Sequence, residues 1–174
     1  MPPVSAGLLA YRRRGASVEV LLVHPGGPIW ARRDDRAWSI PKGELGPDEP
    51  PLAAARREFT EELGVPAPSG PLLELGEIRQ PGGKRVWVWA ADAPHLSGVS
   101  DRPLHEVASN RFEMEWPPRS GRVQSFPEVD RAEWFGLEVA RAKLHAGQVG
   151  FVDRLVAALD RRAGEGLDQA AGPE

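Results

Sequence analysis

The sequence predicts an α/β domain in which strands precede and follow one amphipathic helix and helical stretches end the chain. A β-branched run at Val18–Val23 is typical of a largely buried strand. Apolar residues recur at helical spacing over Pro50–Leu63, and they do so again over Gln148–Arg162. Strands and helices that alternate in this way along one chain are typical of the α/β class.

Length and composition limit the range of functions. The chain has 174 residues, enough for one domain with a core, and its 22 Lys plus Arg against 25 Asp plus Glu give a net charge of −3. This balance argues against nucleic acid as a bulk partner. Cysteine is absent, which excludes disulfides, thiolate zinc sites and cysteine nucleophiles.

No apolar run approaches the roughly 20 residues of a membrane span. The apolar run Ala6–Ala10 precedes Arg12–Arg14, the reverse of the order in a signal peptide, so we expect a cytoplasmic protein.

Two strands are predicted before the first helix. The first covers Val4–Tyr11, and a turn at Gly15 joins it to the second at Val18–Val23. The density of proline and glycine then predicts a loop over His24–Asp35, whose glycines either connect elements or let the backbone approach a ligand. A short extended segment, Trp38–Ile40, follows this loop.

Acidic side chains cluster on the helix predicted for Pro50–Leu63. Glu58, Glu61 and Glu62 are neighbours on a helix surface, so they repel one another by roughly 0.2–0.5 kcal/mol per pair. Arg57 lies four residues before Glu61 and can hold that carboxylate by a charge-assisted hydrogen bond, but one guanidinium cannot neutralise three carboxylates. Carboxylate oxygens suit hard divalent cations such as Mg²⁺ or Mn²⁺, with substrate phosphates as further ligands. The alternative is a solvated acidic face with an internal salt bridge.

The stretch from Gly43 to Val65 resembles the Nudix box, in which a glycine, a glutamate and a run of Arg-Glu-apolar-any-Glu-Glu-any-Gly-apolar follow at fixed spacing. The matching residues are Gly43, Glu49, Arg57, Glu58, Phe59, Glu61, Glu62, Gly64 and Val65. The resemblance implies the Nudix fold, a mixed β-sheet sandwiched between α-helices, in a single domain over residues 1–162. It also implies hydrolysis of a phosphoanhydride bond. The approach Trp38-x-x-Pro41-Lys42-Gly43 is similar to that of dinucleoside polyphosphate hydrolases and some MutT-like nucleotide hydrolases.

The resemblance implies a set of oxygen ligands for a divalent metal, with Mg²⁺ as the expected cofactor and Mn²⁺ as the alternative. These ligands are Glu58, Glu61, Glu62, Glu128 and the carbonyl of Lys42. Glu128 is preferred to Glu113 and Glu115 because it lies shortly before Trp134, a placement similar to that of a late glutamate in MutT-like members.

Catalytic and substrate-binding roles are assigned on the same resemblance. Glu58 or Glu128 is the candidate base, and Arg57 orients the cluster. Glu49 either joins the metal ligands or fixes the loop. The candidate substrate-binding residues are Lys42, Arg85, Trp87 and Arg119. Trp87 either packs in the fold or offers its indole to a base, and Arg119 lies in a basic loop that can contact phosphate.

Further strands and helices are predicted downstream of the acidic helix. The strands are Leu72–Arg79, Arg85–Ala91, Arg111–Trp116 and Ala132–Phe135, with a long loop at Asp92–Asn110. Helices at 137–145 and 148–162 follow. The tail, residues 163–174, is expected to be disordered.

The implied substrate is a nucleoside diphosphate linked to another moiety, with a nucleoside triphosphate as the first choice. Diadenosine polyphosphate hydrolysis is an alternative, although those enzymes usually carry a tyrosine where this chain has Pro81-Gly82-Gly83, and its single tyrosine is Tyr11. ADP-ribose is a weaker alternative, since hydrolases of that group carry a proline near this distance from the box and Pro81 matches it only loosely. A nucleotide-binding domain without turnover is another, although such members often lose box glutamates and none is missing here. The expected partner is a small-molecule nucleotide, with neither nucleic acid nor a membrane, and a homodimer is allowed.

Overall fold

The computed structural model describes residues 3–96 and 108–170. Its strands are β1 (Val4–Arg14), β2 (Ser17–Pro25), β3 (Lys42–Glu44), β4 (Leu72–Arg79), β5 (Arg85–Asp92), β6 (Arg111–Glu115), β7 (Val123–Pro127) and β8 (Val129–Gly136). Its helices are α1 (Pro51–Leu63), α2 (Leu137–Lys143) and α3 (Val149–Ala170), with a 3₁₀ turn at Ala146–Gln148 between the last two.

A six-stranded mixed sheet forms the centre of the fold. Its order is β4-β5-β1-β2-β8, and β1 runs parallel to β5 and antiparallel to its other partners. One edge of β1 is shared, because Ser5–Gly7 pairs with β3 and Tyr11–Arg14 pairs with β2. This sharing places β3, and with it the start of the predicted box, inside the sheet. Strands β6 and β7 form a separate hairpin.

The sheet lies between α1 on one face and α2 with α3 on the other. Alternate residues of a strand point to opposite faces, so Leu8 joins a buried cluster with Phe59 of α1, whereas Leu9 joins a second cluster with Phe151 and Leu155 of α3. The predicted α/β class and mixed sheet between helices are therefore confirmed.

The structure differs from the sequence prediction at several elements. Strands β3 and β7 were not predicted, because both are short and neither alternates clearly between apolar and polar residues. Helix α3 continues to Ala170, so residues 163–170 of the tail expected to be disordered are helical. Residues 97–107 of the predicted long loop and residues 171–174 of the tail lie outside the described residues. No helix in the described ranges is both long and apolar enough to span a membrane.

A buried amide fixes the extended segment that leads to β3. Gln148 is 3% exposed, and its Oε1 accepts a hydrogen bond of 2.9 Å from the backbone N–H of Ile40. Its Nε2 donates to Ser39 Oγ at 3.1 Å, and Ser39 also exchanges backbone hydrogen bonds with Val23 of β2. One side chain from the 3₁₀ turn before α3 therefore holds the segment against the sheet.

We predict that Gln148→Ala lowers the free energy of unfolding by about 1–3 kcal/mol, because it leaves a buried backbone N–H without its acceptor. Urea denaturation followed by far-UV circular dichroism measures this change. The control is Gln124→Ala in the exposed β6–β7 hairpin, for which we expect about 0.5 kcal/mol or less. Equal effects of the two variants would contradict the role of Gln148.

Candidate active site

Helix α1 is bounded by residues that suit its ends. Pro51 occupies the first turn, where a missing N–H costs nothing, and Gly64 ends the helix in the left-handed region with φ 68°. Phe59 and Leu63 are buried against the sheet, as their spacing predicted. This packing sets the rotation of the helix, so the glutamates beside the apolar stripe lie along the border between α1 and β3.

Arg57 is the centre of the acidic cluster. Its Nε and Nη2 donate to the two carboxylate oxygens of Glu49 at 2.8 and 2.9 Å, in the bidentate arrangement that suits a planar guanidinium. Its Nη1 donates to Glu58 at 2.6 Å and to Glu61 at 3.0 Å, and Nη2 also donates to the carbonyl of Glu44 at 3.1 Å. All five N–H donors of the guanidinium are therefore used.

Glu49 fixes the loop that precedes α1. One of its carboxylate oxygens accepts a 2.8 Å hydrogen bond from the backbone N–H of Gly46, and both accept from Arg57. The hydrogen bonds from Arg57, followed by the one from Gly46, lower the pKa of Glu49 to about 2. Of the two roles left open by the sequence, these contacts support the structural one.

Glu58 and Glu62 lie against β3. A Cβ atom at Gly43 would lie 2.0 Å from Cδ of Glu58, so only glycine leaves room for this carboxylate. Glu62 accepts a 3.3 Å hydrogen bond from the backbone N–H of Lys42. Burial raises the pKa of Glu62 to about 8 and also raises the pKa of Glu58, whereas burial lowers the pKa of the Lys42 ammonium.

Glu128 reaches the cluster through a chain of backbone hydrogen bonds. The N–H of Asn110 donates to the carbonyl of Glu61, the N–H of Glu128 donates to the carbonyl of Asn110, and the N–H of Gly26 donates to the carbonyl of Glu128. The charge of Glu128 contributes to the raised pKa values of Glu58 and Glu62. The structure therefore brings this late glutamate to the box carboxylates.

A glycine makes that approach sterically feasible. A Cβ atom at Gly26 would lie 2.0 Å from the carbonyl oxygen of Pro127. Gly26 therefore allows two backbone segments to pack closely, a function that the sequence analysis did not assign to the glycines of this loop.

The side chains of the cluster have the chemistry of a hard-metal site. Carboxylate oxygens are the ligands that such ions prefer. In the arrangement described, however, Arg57 engages Glu58 and Glu61, and residues 3–96 and 108–170 contain no group of three or more His, Asp or Glu side chains placed to hold a metal ion. The donor set fits a divalent cation, provided that Glu58 and Glu61 exchange their contacts with Arg57 for contacts with the ion.

The predicted substrate-binding residues are spread over the fold. Lys42 adjoins the carboxylates through Glu62. Arg85 donates to Glu77 on the neighbouring strand at 2.9 and 2.5 Å, and Trp87 donates to Glu74 at 3.1 Å while stacking on Trp89 with ring centroids 5.8 Å apart. Arg119 is exposed in the turn of the β6–β7 hairpin.

Sequence reasoning missed a buried histidine behind the site. His24 is 0% exposed, with Nδ1 2.7 Å from a carboxylate oxygen of Asp130 and Nε2 2.7 Å from the carbonyl oxygen of Arg33. It therefore ties the loop after β2 to the strand that follows Glu128. The one available signal was a histidine at the end of a β-branched run, and that signal does not identify its partners.

A mixed sheet between helices, with an arginine-centred acidic helix along one strand, defines a fold of the Nudix class. The family model of the NUDIX domain matches residues 1–155. The chain therefore belongs to the NUDIX domain family, and the resemblance drawn from residues 43–65 is confirmed.

Known proteins with similar sequence or structure include an RNA pyrophosphohydrolase, an Ap4A hydrolase and the NUDIX domain of NrtR. An RNA pyrophosphohydrolase of Rhodospirillum rubrum is 41% identical over 67 residues, which cover 37% of this chain and 39% of the relative. The NUDIX domain of Shewanella oneidensis NrtR, solved with ADP ribose, has a TM-score of 0.59 and 15% identity over 91% of this chain and 89% of that one. A C. elegans Ap4A hydrolase has a TM-score of 0.55 and 20% identity over 91% of this chain and 98% of that one. The two solved structures show the shared fold. The match to the RNA pyrophosphohydrolase spans less than half of that relative's length.

We predict that Arg57→Lys lowers the free energy of unfolding by about 1–2 kcal/mol, because an ammonium cannot reproduce the bidentate bond to Glu49 and hold two further carboxylates. Thermal and urea unfolding measure the change. Arg56→Lys is the matched control, since Arg56 is exposed on the same helix, and we expect it to change stability by about 0.5 kcal/mol or less. Equal stability of the two variants would contradict the role assigned to Arg57.

We predict that Gly26→Ala destabilises the protein by about 2–3 kcal/mol, because the added methyl group meets the backbone of Pro127 rather than a movable side chain. Gly70→Ala is the control, since no atom lies within 4 Å of its Cβ position. Denaturant midpoints measured on both variants test the close approach. A tolerated Gly26→Ala would show that the two segments can separate without cost.

Proposed function

We propose that this protein is a divalent-metal-dependent hydrolase that cleaves a phosphoanhydride bond in a nucleoside diphosphate linked to another moiety, most simply a nucleoside triphosphate. The observation that carries the proposal is the cluster of Glu58, Glu61 and Glu62 along the border between α1 and β3, to which backbone hydrogen bonds through Asn110 join Glu128. Arg57 supplies one positive charge to Glu49, Glu58 and Glu61, and burial lowers the pKa of the Lys42 ammonium beside Glu62. The excess of negative charge favours the binding of a cation.

The proposed metal ligands are the four glutamates of the cluster and the carbonyl of Lys42, with Mg²⁺ as the expected ion. Burial raises the pKa values of Glu58 and Glu62, and the charge of Glu128 adds to the rise, so a bound cation would stabilise the ionised form of both carboxylates. A bound divalent ion would shield phosphate oxygens and lower the pKa of a water molecule.

The chain's own residues supply the remaining functions. Glu58 or Glu128 is the proposed base, which accepts a proton from the attacking water. Arg57 holds Glu49 and the loop before α1 in place, so it positions the cluster. The Lys42 ammonium is the proposed contact for a substrate phosphate. Residues 1–162 are the proposed catalytic unit, and a cytoplasmic location stays a prediction.

A 5′-triphosphorylated RNA is the second candidate substrate. It is favoured by the 41% identity to an RNA pyrophosphohydrolase, although that match covers 39% of the relative. The two candidates share the same anhydride, and they differ in whether further nucleotides are joined to the 3′ side of the first one. The absence of a nucleic-acid partner stays a prediction. A dinucleoside polyphosphate or ADP-ribose is a further alternative on fold similarity alone.

The proposal is tested by Mg²⁺-dependent release of phosphate or pyrophosphate from a panel of nucleoside triphosphates, dinucleoside polyphosphates, ADP-ribose and 5′-triphosphorylated RNA. We expect Glu62→Gln to lower kcat about 100-fold or more, because it removes a charged metal ligand while preserving shape. The control is Glu113→Gln, an exposed glutamate on β6, which we expect to retain wild-type activity.

A second measurement separates loss of metal binding from loss of folding. Mg²⁺ should raise the Tm of the wild type and of Glu113→Gln, and raise the Tm of Glu62→Gln much less. Equal activity and equal Tm shifts in all three proteins would reject the metal assignment. A Tm shift with nucleotide but no turnover on any substrate would favour a binding domain without catalysis.

A further inference from the structure

An apolar cavity of about 360 Å³ lies between the loop after β2 and the β6–β7 hairpin. The residues that line it include Pro28, Ile29, Trp30, Phe112, Met114 and Glu128. Its volume falls within the range of about 300–1,000 Å³ that is usual for small-molecule sites.

Close packing at a glycine sets the two walls of the cavity. Gly27 has φ 87°, and a Cβ atom there would lie 2.9 Å from Cζ of Phe112. Phe112 in turn lies beside Phe126 of the other hairpin strand, with ring centroids 6.0 Å apart. The hairpin therefore meets the loop through aromatic rings, and the cavity is a built feature of this contact.

The lining selects an uncharged, planar group. Apart from Glu128, the named lining side chains are aliphatic, aromatic or thioether. Among these named side chains, the indole N–H of Trp30 is the single N–H or O–H group. Aromatic walls favour a ring that can stack, with about 1–3 kcal/mol for each stacked base in proteins that use this contact. The carboxylate of Glu128 repels phosphate, so the cavity disfavours a second anionic group.

Glu128 also connects the cavity with the acidic cluster. It lines the cavity, while its backbone N–H donates to the carbonyl of Asn110, whose own N–H donates to the carbonyl of Glu61 in the cluster. A substrate whose anhydride lies at the cluster therefore has its adjoining organic group near the mouth of the cavity.

We propose that this cavity binds the nucleobase of the nucleotide whose anhydride is cleaved, an inference that rests on the proposed function. A purine fills more of the cavity than a pyrimidine and is preferred. Adenine and guanine are discriminated weakly, because an apolar pocket cannot strongly reject an analogue that differs in its polar groups. The base belongs either to a free nucleotide or to the first nucleotide of an RNA.

The test compares ATP and GTP with ribose 5-triphosphate, which has no base, in Mg²⁺-dependent steady-state hydrolysis by the full-length chain. We expect Phe112→Leu to raise KM for ATP and GTP about tenfold, with kcat within about twofold and no change for ribose triphosphate. Ile29→Ala should change KM in the same direction by about two- to threefold; Ile29 is 53% exposed, so this variant keeps the fold. Val123→Ala, on β7 outside the cavity and 65% exposed, is the control.

Direct binding separates failure of the cavity assignment from failure of the proposed function. If no triphosphate is hydrolysed, adenosine is titrated into the metal-free protein, and tryptophan fluorescence is followed. Saturable quenching that is lost in Trp30→Phe and weakened in Phe112→Leu supports the cavity even without turnover. Absence of saturable adenosine binding would overturn it.

Two further outcomes are decisive. An equal KM increase for ribose triphosphate, or preferential hydrolysis of an alkyl diphosphate with the same dependence on Phe112, would overturn the nucleobase assignment. Comparison of ATP with a 5′-triphosphorylated dinucleotide distinguishes the two sources of the base. The cavity binds the base of the substrate that has the higher kcat/KM with the wild type and that loses more kcat/KM in Phe112→Leu.

Discussion

The five hydrogen bonds donated by Arg57 hold the acidic cluster together. They join β3, the loop before α1 and the helix itself through Glu44, Glu49, Glu58 and Glu61. Their geometry is set by a rigid, planar group, which explains why a residue inside the helix can also fix the loop that precedes it. One guanidinium nevertheless leaves a surplus of negative charge, and that surplus is the physical basis of the proposed metal site.

A second constraint brings distant segments to the same helix. Backbone hydrogen bonds run from Glu61 through Asn110 to Glu128 and on to Gly26, and the last contact requires a residue without a side chain. The same loop and hairpin enclose the apolar cavity. Glu128 therefore stands at the border between a charged region suited to phosphates and an apolar region suited to an uncharged ring.

The fold was predictable where its elements carry their own pattern. Strands β1, β2, β4 and β5 were found from runs of apolar and β-branched residues, and α1 was found from its stripe and its terminal proline and glycine. Strands β3 and β7 were not, since each is defined by the partner strand that supplies its hydrogen bonds. The end of α3 was also missed, because its last turns carry no apolar stripe that would extend the period.

The sequence by itself determined that the acidic side chains of α1 form one cluster, since helical geometry fixes which residues at spacings of three and four lie side by side. It thus predicted the pairing of Arg57 with Glu61 and the family of the protein. Only the tertiary structure decided that Glu49 fixes the loop, that His24 meets Asp130 and that Phe112 faces the loop after β2. The contact of His24 with Asp130 and that of Phe112 with the loop join residues far apart in the chain. These two contacts depend on strand order and register, which local periodicity does not encode. The role of Glu49 depends on the folded conformation of its loop.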